Sequence, residues 1–356
     1  MNAIGAAIDI DDTEALIAAD REGLLRAASM AGAQVRATAA AFDEGALDSI
    51  RGGDRPRTLV WVAGRGTAAS AGAMLAAAVG GSSGEPIVVT AGAPPWIGAL
   101  DVLVVAGDDP GDPALVGAAA TGVRRGARVV VVAPYEGPLR DTTAGRVAVL
   151  EPRLPVPDEF VVCRYLAAGL AVLASVDPGL RVDLARLADE LDSEALRNSA
   201  GRELFTNPAK ALAERMSGRR VVLAGDCAAT LALARHGGSV LLRIAHQVVA
   251  ATGLADAVVA LRAGFGDAAD ALFHDEQIDG PRPERPRVLA LTLAAERTVV
   301  VARVSGLDVD IVTAEDVPDL SDASTEAVAG LGTEQQLAIL AVRLEMAAVY
   351  LRLVRG

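Results

Sequence analysis

The sequence predicts an α/β fold of two doubly wound domains, each a parallel sheet flanked by helices. Three observations carry that expectation. Thr58 to Ala63 is a continuous apolar and β-branched run that enters the glycine turn Gly64-Arg65-Gly66 and then an alanine-rich helix reaching Val79. A strand apolar on every residue reads as one covered on both faces. The same order returns about 160 residues later, with Val221 to Ala224 as strand, Gly225 as turn and Ala228 to Ala234 as helix, which suggests a duplicated unit. Finally, Pro86 to Thr90, Asp101 to Ala106, Arg128 to Pro134 and Ala148 to Leu150 are apolar runs, mostly spaced by helical segments, the pattern of parallel strands joined by crossovers.

Taken in order, Asp11 to Ala40 reads as a leading helix, with Asp12 or Thr13 as cap and Leu16, Leu24, Leu25 and Ala28 on its apolar stripe. It is expected to pack on the first sheet. The proline-spaced Glu151 to Glu159 marks a boundary. This divides the chain into an N-terminal domain over 1–152, a linker with crossing helices over 153–198, and a C-terminal domain over 199–356. Phe160 to Val176 and Val182 to Arg197 read as helices, and Thr206-Asn207-Pro208 as the cap of a helix ending at Met216. Ser239 to Arg243 reads as a strand, Val248 to Arg262 as partly helical, and Val288 to Thr292 and Thr298 to Val304 as strands. Glu334 to Leu353 closes the chain as a periodic helix, apolar around much of its circumference, which points to burial between domains or subunits.

Composition narrows the partners. At 356 residues, 52% apolar and only 3% aromatic, the chain has enough material for two cores packed from Ala, Val and Leu. A net charge of −13 repels a phosphate backbone, and no basic segment with interleaved aromatics offsets it, so nucleic acid is not an expected partner. No apolar stretch has spanning length and no basic-then-apolar leader opens the chain, so a soluble, cytoplasmic protein without membrane contact is expected. Cys163 and Cys227 have no zinc-type spacing and read as reduced core thiols. No metal or cofactor site is expected.

The motifs exclude several chemistries. Gly64-Arg65-Gly66 lacks the third glycine of a dinucleotide turn, and Val88-Val89-Thr90 supplies no ribose-binding acid. No Gly-Lys-Ser/Thr or HExxH occurs, and no GxSxG nucleophile turn, the one spacing of that kind, GGSSG at 80–84, falling in a Gly/Ser linker after the helix rather than between a strand and a helix. Gly64, Gly66, Thr67 and Ser70 remain as a candidate anion seat, glycines giving close backbone approach and hydroxyls standing where helix N–H groups point outward. A second turn, Gly107-Asp108-Asp109-Pro110-Gly111-Asp112, follows the DVLVVA strand. Its acids cap and complement the next helix by about 0.5 to 1 kcal/mol each, contact a ligand, or hold a hard cation; a bound phosphate they would oppose. Among the histidines, His236 beside Gly237-Gly238 reads as a solvated loop residue and His246 as a structural one. His274 stands in FHDEQIDG beside two carboxylates, which orient an imidazole for acid/base work.

The order strand-GRGT-helix, strand-GDDPGD-helix, NPAKALAERMSGR, FHDEQIDG and the C-terminal LAILAVRLEMAAVYLRLVRG resembles the bifunctional phosphoglucose/phosphomannose isomerase family, built of two sugar isomerase (SIS) domains, and within it the TobH-like branch. The likeness spans essentially the whole chain. It implies a homodimer that binds a sugar phosphate or another carbohydrate derivative and interconverts aldose and ketose phosphates. It also implies a histidine that opens the sugar ring, a glutamate that moves the proton between C1 and C2, hydroxyls on the phosphate, and a cation that stabilises the enediolate. His274 matches the family's NHNE segment, Thr67 with Ser70 the first phosphate turn, and Arg140 the arginine after the third strand.

The sequence departs from that pattern at chemically important places. The family's SxSGNT turn is here GDDPGD, the RIAHQVVAATG window at 243–253 holds no carboxylate, and Gly330-Leu331-Gly332-Thr333 stands where a lysine is expected. Loss of a proton-transfer base typically costs ~10²- to 10⁴-fold, so the resemblance implies an isomerase with a degenerate site, or a non-catalytic binding or regulatory protein on the same scaffold.

Overall fold

In the computed structural model, residues 8–63, 65–265, 286–315 and 330–355 are described. The chain divides into two compact units, Arg26–Leu196 with Thr333–Ala338, and Met1–Leu25 with Arg197–Gly332 and Ile339–Gly356. Each is a doubly wound α/β unit with a wholly parallel sheet.

The first sheet has the order β2-β1-β3-β4-β5, with β1 Thr58–Val62, β2 Ile87–Thr90, β3 Asp101–Ala106, β4 Arg128–Val132 and β5 Ala148–Val149. β1 and β3 are buried on every residue, as their continuous apolar sequence requires, and each buried Val or Leu is worth about 1.5–3 kcal/mol over an exposed one. At their amino ends Arg57 Nε and Nη2 reach both carboxylate oxygens of Asp101 at 3.0 and 2.6 Å, which pins the register. The helices of this unit include α3 Ala31–Asp43, α4 Gly66–Val79, α5 Pro113–Arg124, α6 Gly137–Thr143, α7 Val162–Val176 and α8 Leu184–Arg197. Fully buried Trp61 organises one layer. Its Nε1 donates to Ala68 O in the first turn of α4 at 3.0 Å. A Cβ on Gly72 of α4 would lie 2.3 Å from its ring, and one on Gly169 of α7 would lie 3.2 Å from it, so both helices come close because those residues are glycine.

The second sheet, β7-β6-β8-β9, repeats the order of the first four strands of the first sheet. It comprises β6 Val221–Gly225, β7 Val249–Gly253, β8 Arg287–Leu291 and β9 Val309–Val312, with α9 Pro208–Met216, α10 Ala228–Ala245, α11 Leu254–Arg262 and α12 Arg297–Val304. The closing helix, α13 Thr333–Arg355, is buried along nearly all of its length.

Several sequence expectations are corrected. The leading segment is three helices, α1 Thr13–Ala19, α2 Leu24–Ala28 and α3, rather than one. The first break lies at Asp20, whose carboxylate accepts from the Leu24 and Leu25 N–H groups at 2.8 and 2.9 Å, and at Gly23 with φ +67°. Ser239 to Arg243 is the last part of α10, and Thr298 to Val304 lies in α12. Both are β-branched or leucine-rich runs, but a parallel sheet needs a helical crossover between its strands, and that requirement outweighs local preference. β9 carries the strand instead, its VDIV sequence being only partly apolar because it lies at the sheet edge. His236 is buried inside α10, and His246 is the exposed left-handed cap of that helix, with φ +50°. Cys163 is buried and Cys227 half-buried, both as free thiols. No helix among the described residues is long and apolar enough to cross a membrane.

Candidate functional site

In the first unit the strand order reverses between β1 and β3, so the two turns leaving these neighbours lie side by side at the carboxyl edge, where open α/β sheets bind ligands. Gly66 opens α4 with φ +66°, a conformation that suits glycine. The preceding Arg65 extends to the second turn, its Nη2 3.5 Å from Asp109 Oδ2 and 3.7 Å from Asp112 Oδ2. Arg65 and Asp109 are both exposed, so this bridge orders the two turns more than it stabilises them.

The acids have separate local tasks. Asp112 Oδ1 caps α5 by accepting from Ala114 N at 2.8 Å, with Pro113 in the first turn. Asp109 Oδ1 accepts from Gly111 N at 2.8 Å. Asp108 is exposed. Gly107 is buried, and a Cβ there would lie 2.5 Å from Leu115 Cδ1, which explains its identity by packing.

Thr67 is 4% exposed. Its hydroxyl donates to the Asp158 carbonyl at 2.7 Å and stands 3.3 Å from Asp158 Oδ2. Asp158 begins a short 3-10 turn over Asp158–Phe160, directly before α7. The same carboxylate oxygen lies 3.6 Å from where a Cβ on Gly66 would be. The side chain of Asp158 therefore sits over the glycine turn at the amino end of α4.

The first turn of α7 adds a buried cation and a buried phenol. Arg164 Cζ stands 4.2 Å from the centre of the Tyr165 ring. Burial lowers the Arg164 pKa, opposed by Tyr165, Asp158 and Asp108. Burial raises the Tyr165 pKa; Arg164 works against that rise while Asp158 and Asp108 add to it. Arg164 Nε and Tyr165 Oη are buried without a well-formed hydrogen bond. Arg65 thus faces Asp109 and Asp112 across the two turns, while the Asp158 carboxylate stands over the amino end of α4.

The sequence-derived candidates distribute unevenly. Gly66, Thr67, Gly107, Asp108, Asp109 and Asp112 come together on the two turns, and Ser70 lies half-buried one turn further along α4. Arg140 is exposed on α6, which follows β4. Gly64 and His274 lie outside the described residues. Sequence reading passed over Asp158, Arg164 and Tyr165, because the stretch before α7 looked like a boundary. The available signal was Arg164, a lone charge within the otherwise apolar helix VCRYLAAGLAVLASV.

The corresponding turn of the second unit follows β6. Gly225 admits no side chain, since a Cβ would lie 2.2 Å from Leu231 N. Asp226 pairs with Arg303 of α12, and Cys227 caps α10, its N–H donating to Thr230 Oγ1 at 3.2 Å. Further inside, Arg343 of α13 donates to the carbonyls of Thr313 and Ala314 at 2.7 and 3.2 Å. Among the described residues, no three His, Cys, Asp or Glu side chains converge in a way that could hold a metal.

No protein-family profile matches the sequence, and no curated protein does. The fold is shared with solved structures across nearly the full length of both chains. These include tagatose-6-phosphate ketose/aldose isomerase from Escherichia coli, at 12% identity and TM-score 0.57 over 100% of this chain and 98% of that one. A glucose-6-phosphate isomerase like protein from Thermus thermophilus aligns at 19% identity and TM-score 0.56 over 98% and 96%. The C-terminal domain of glucosamine-fructose-6-phosphate aminotransferase from Francisella tularensis aligns at 10% identity and TM-score 0.59 over 96% of each chain. Two α/β units, each with a parallel sheet flanked by helices, are the architecture expected from the sequence and the architecture found.

Proposed function

We propose that the chain is a carbohydrate-derivative-binding protein of the sugar-phosphate isomerase lineage, with aldose–ketose isomerase activity that is weak or lost. The observation that carries this reading is the carboxyl edge of the first sheet, where Gly66 and Thr67 keep the form of a sugar-phosphate seat while Asp108, Asp109, Asp112 and Asp158 surround it. Full-length likeness to the fold of ketose/aldose isomerases supports the ligand class. The bifunctional phosphoglucose/phosphomannose type, its TobH-like branch, a homodimeric assembly and a cytoplasmic setting remain part of the reading by resemblance. Activity rests on His274 as ring-opening acid/base and Arg140 as an assisting charge, without the carboxylate at 243–253 that would move the proton.

Incubating the purified protein with fructose 6-phosphate and following glucose and mannose 6-phosphates tests the chemistry. Turnover should stay below about 0.1 s⁻¹, under the ordinary range of about 1–10³ s⁻¹, and what remains should vanish in His274→Ala. Ordinary turnover would overturn the degenerate-site reading. Failure of hexoses, amino sugars and hexose phosphates alike to shift the melting temperature would overturn the binding reading.

A further inference from the structure

We propose that Asp158 is the resident anion of the α4 seat, so that the first domain selects against phosphate and takes a neutral or cationic sugar group. The proposal rests on the carboxyl edge being a ligand site and on nothing about catalysis.

A helix amino terminus attracts an anion because its first N–H groups are unpaired within the helix and its dipole is positive there. At α4 the N-cap, Arg65, makes no side-chain cap. What stands over the turn is Asp158, with Oδ2 3.3 Å from Thr67 Oγ1 and 3.6 Å from the Cβ position of Gly66. The hydroxyl expected to donate to a phosphate is already committed: Thr67 has one O–H, and it points to Asp158 O at 2.7 Å. The start of α7, which follows the Asp158–Phe160 turn directly, adds two buried polar side chains. Arg164 is 8% exposed and Tyr165 fully buried, Arg164 Nε and Tyr165 Oη make no well-formed hydrogen bond, and both side chains feel Asp158 and Asp108. A phosphate dianion entering here meets the Asp158 carboxylate at contact range, with Asp108 exposed on the neighbouring turn. A hydroxyl or ammonium meets acceptors instead.

The test is calorimetric titration of inorganic phosphate, then of glucose 6-phosphate and glucosamine, into the wild type and Asp158→Asn. The asparagine keeps the backbone carbonyl that holds Thr67 and removes only the charge. Expected is at least a tenfold gain in phosphate affinity, with glucosamine binding weakened. Unchanged phosphate affinity in Asp158→Asn, or wild type that already binds phosphate as tightly as the variant, overturns the proposal. Neither result touches the broader reading, which falls only if no carbohydrate derivative binds. Should Asp158→Asn fail to fold, Asp108→Asn at the exposed neighbour tests the same field. A gain of about threefold in phosphate affinity supports the proposal, and no gain overturns it.

Discussion

His236 Nε2 lies 2.9 Å from Glu345 Oε1, each residue 1% exposed, so α10 and α13 are joined by an imidazole–carboxyl pair in the interior of the second unit. The helices come close because Gly237 leaves room, a Cβ there falling 2.9 Å from Leu223 Cδ1 and 3.0 Å from Leu344 Cδ1. Breaking such a pair strands the partner, so Glu345→Ala should cost about 3–5 kcal/mol and Glu345→Gln, which keeps a hydrogen-bonding group, about 1–2 kcal/mol. Urea unfolding of both variants and of the double variant with His236→Gln gives the coupling. Additivity of the two glutamine changes would show that the pair carries no stability of its own.

The same pair has a pH signature. Burial pushes the Glu345 carboxyl above its ordinary value of 4.5, with His236 acting in the opposite sense. A carboxyl that holds its proton more tightly folded than unfolded contributes stability that is complete below its unfolded pKa and is lost as pH rises through its folded one. Melting temperature should therefore decline from about pH 4.5 upward more steeply in the wild type than in Glu345→Gln. Parallel pH profiles would contradict this.

Gly225 ends β6 directly beneath α10, and a Cβ would meet backbone atoms, Leu231 N at 2.2 Å and Thr230 C at 2.4 Å. Backbone cannot rotate aside as a side chain can. Gly225→Ala should therefore destabilise the protein by about 3 kcal/mol, the upper part of the range for overpacking. Gly81→Ala, where nothing lies within 4 Å, provides the control and should be nearly neutral.

Asp112 is a helix cap whatever else it does. Asp112→Ala should cost about 1 kcal/mol, while Asp112→Asn, which retains the acceptor for Ala114 N, should change stability by no more than a few tenths. Its ion pair with Arg65 is long and partly exposed and adds little. Equal losses in both variants would assign the effect to charge rather than to capping.

Legibility followed burial. The run of β1 was readable because all five of its residues are buried, and Gly66 and Thr67 because a strand, a glycine and a hydroxyl in succession have few other uses. Val299, Val300 and Val301 misled because β-branched residues suit strands, whereas their place between β8 and β9 obliges them to form a crossover helix. His236 misled because Gly237 and Gly238 beside it suggest a loop when seen without α13. Asp158 was overlooked because its role depends on Thr67, 91 positions earlier in the chain.

By itself the sequence determined the α/β class, the parallel strands with continuous apolar runs and the two glycine turns, since each is written in the local spacing of apolar residues and glycines. Tertiary structure alone decided that Asp158 covers the amino end of α4, that Arg164 and Tyr165 lie buried at the start of α7, and that His236 meets Glu345. Those relations join residues far apart in the chain, where the close packing of layers, rather than any local preference, sets which polar groups must satisfy one another.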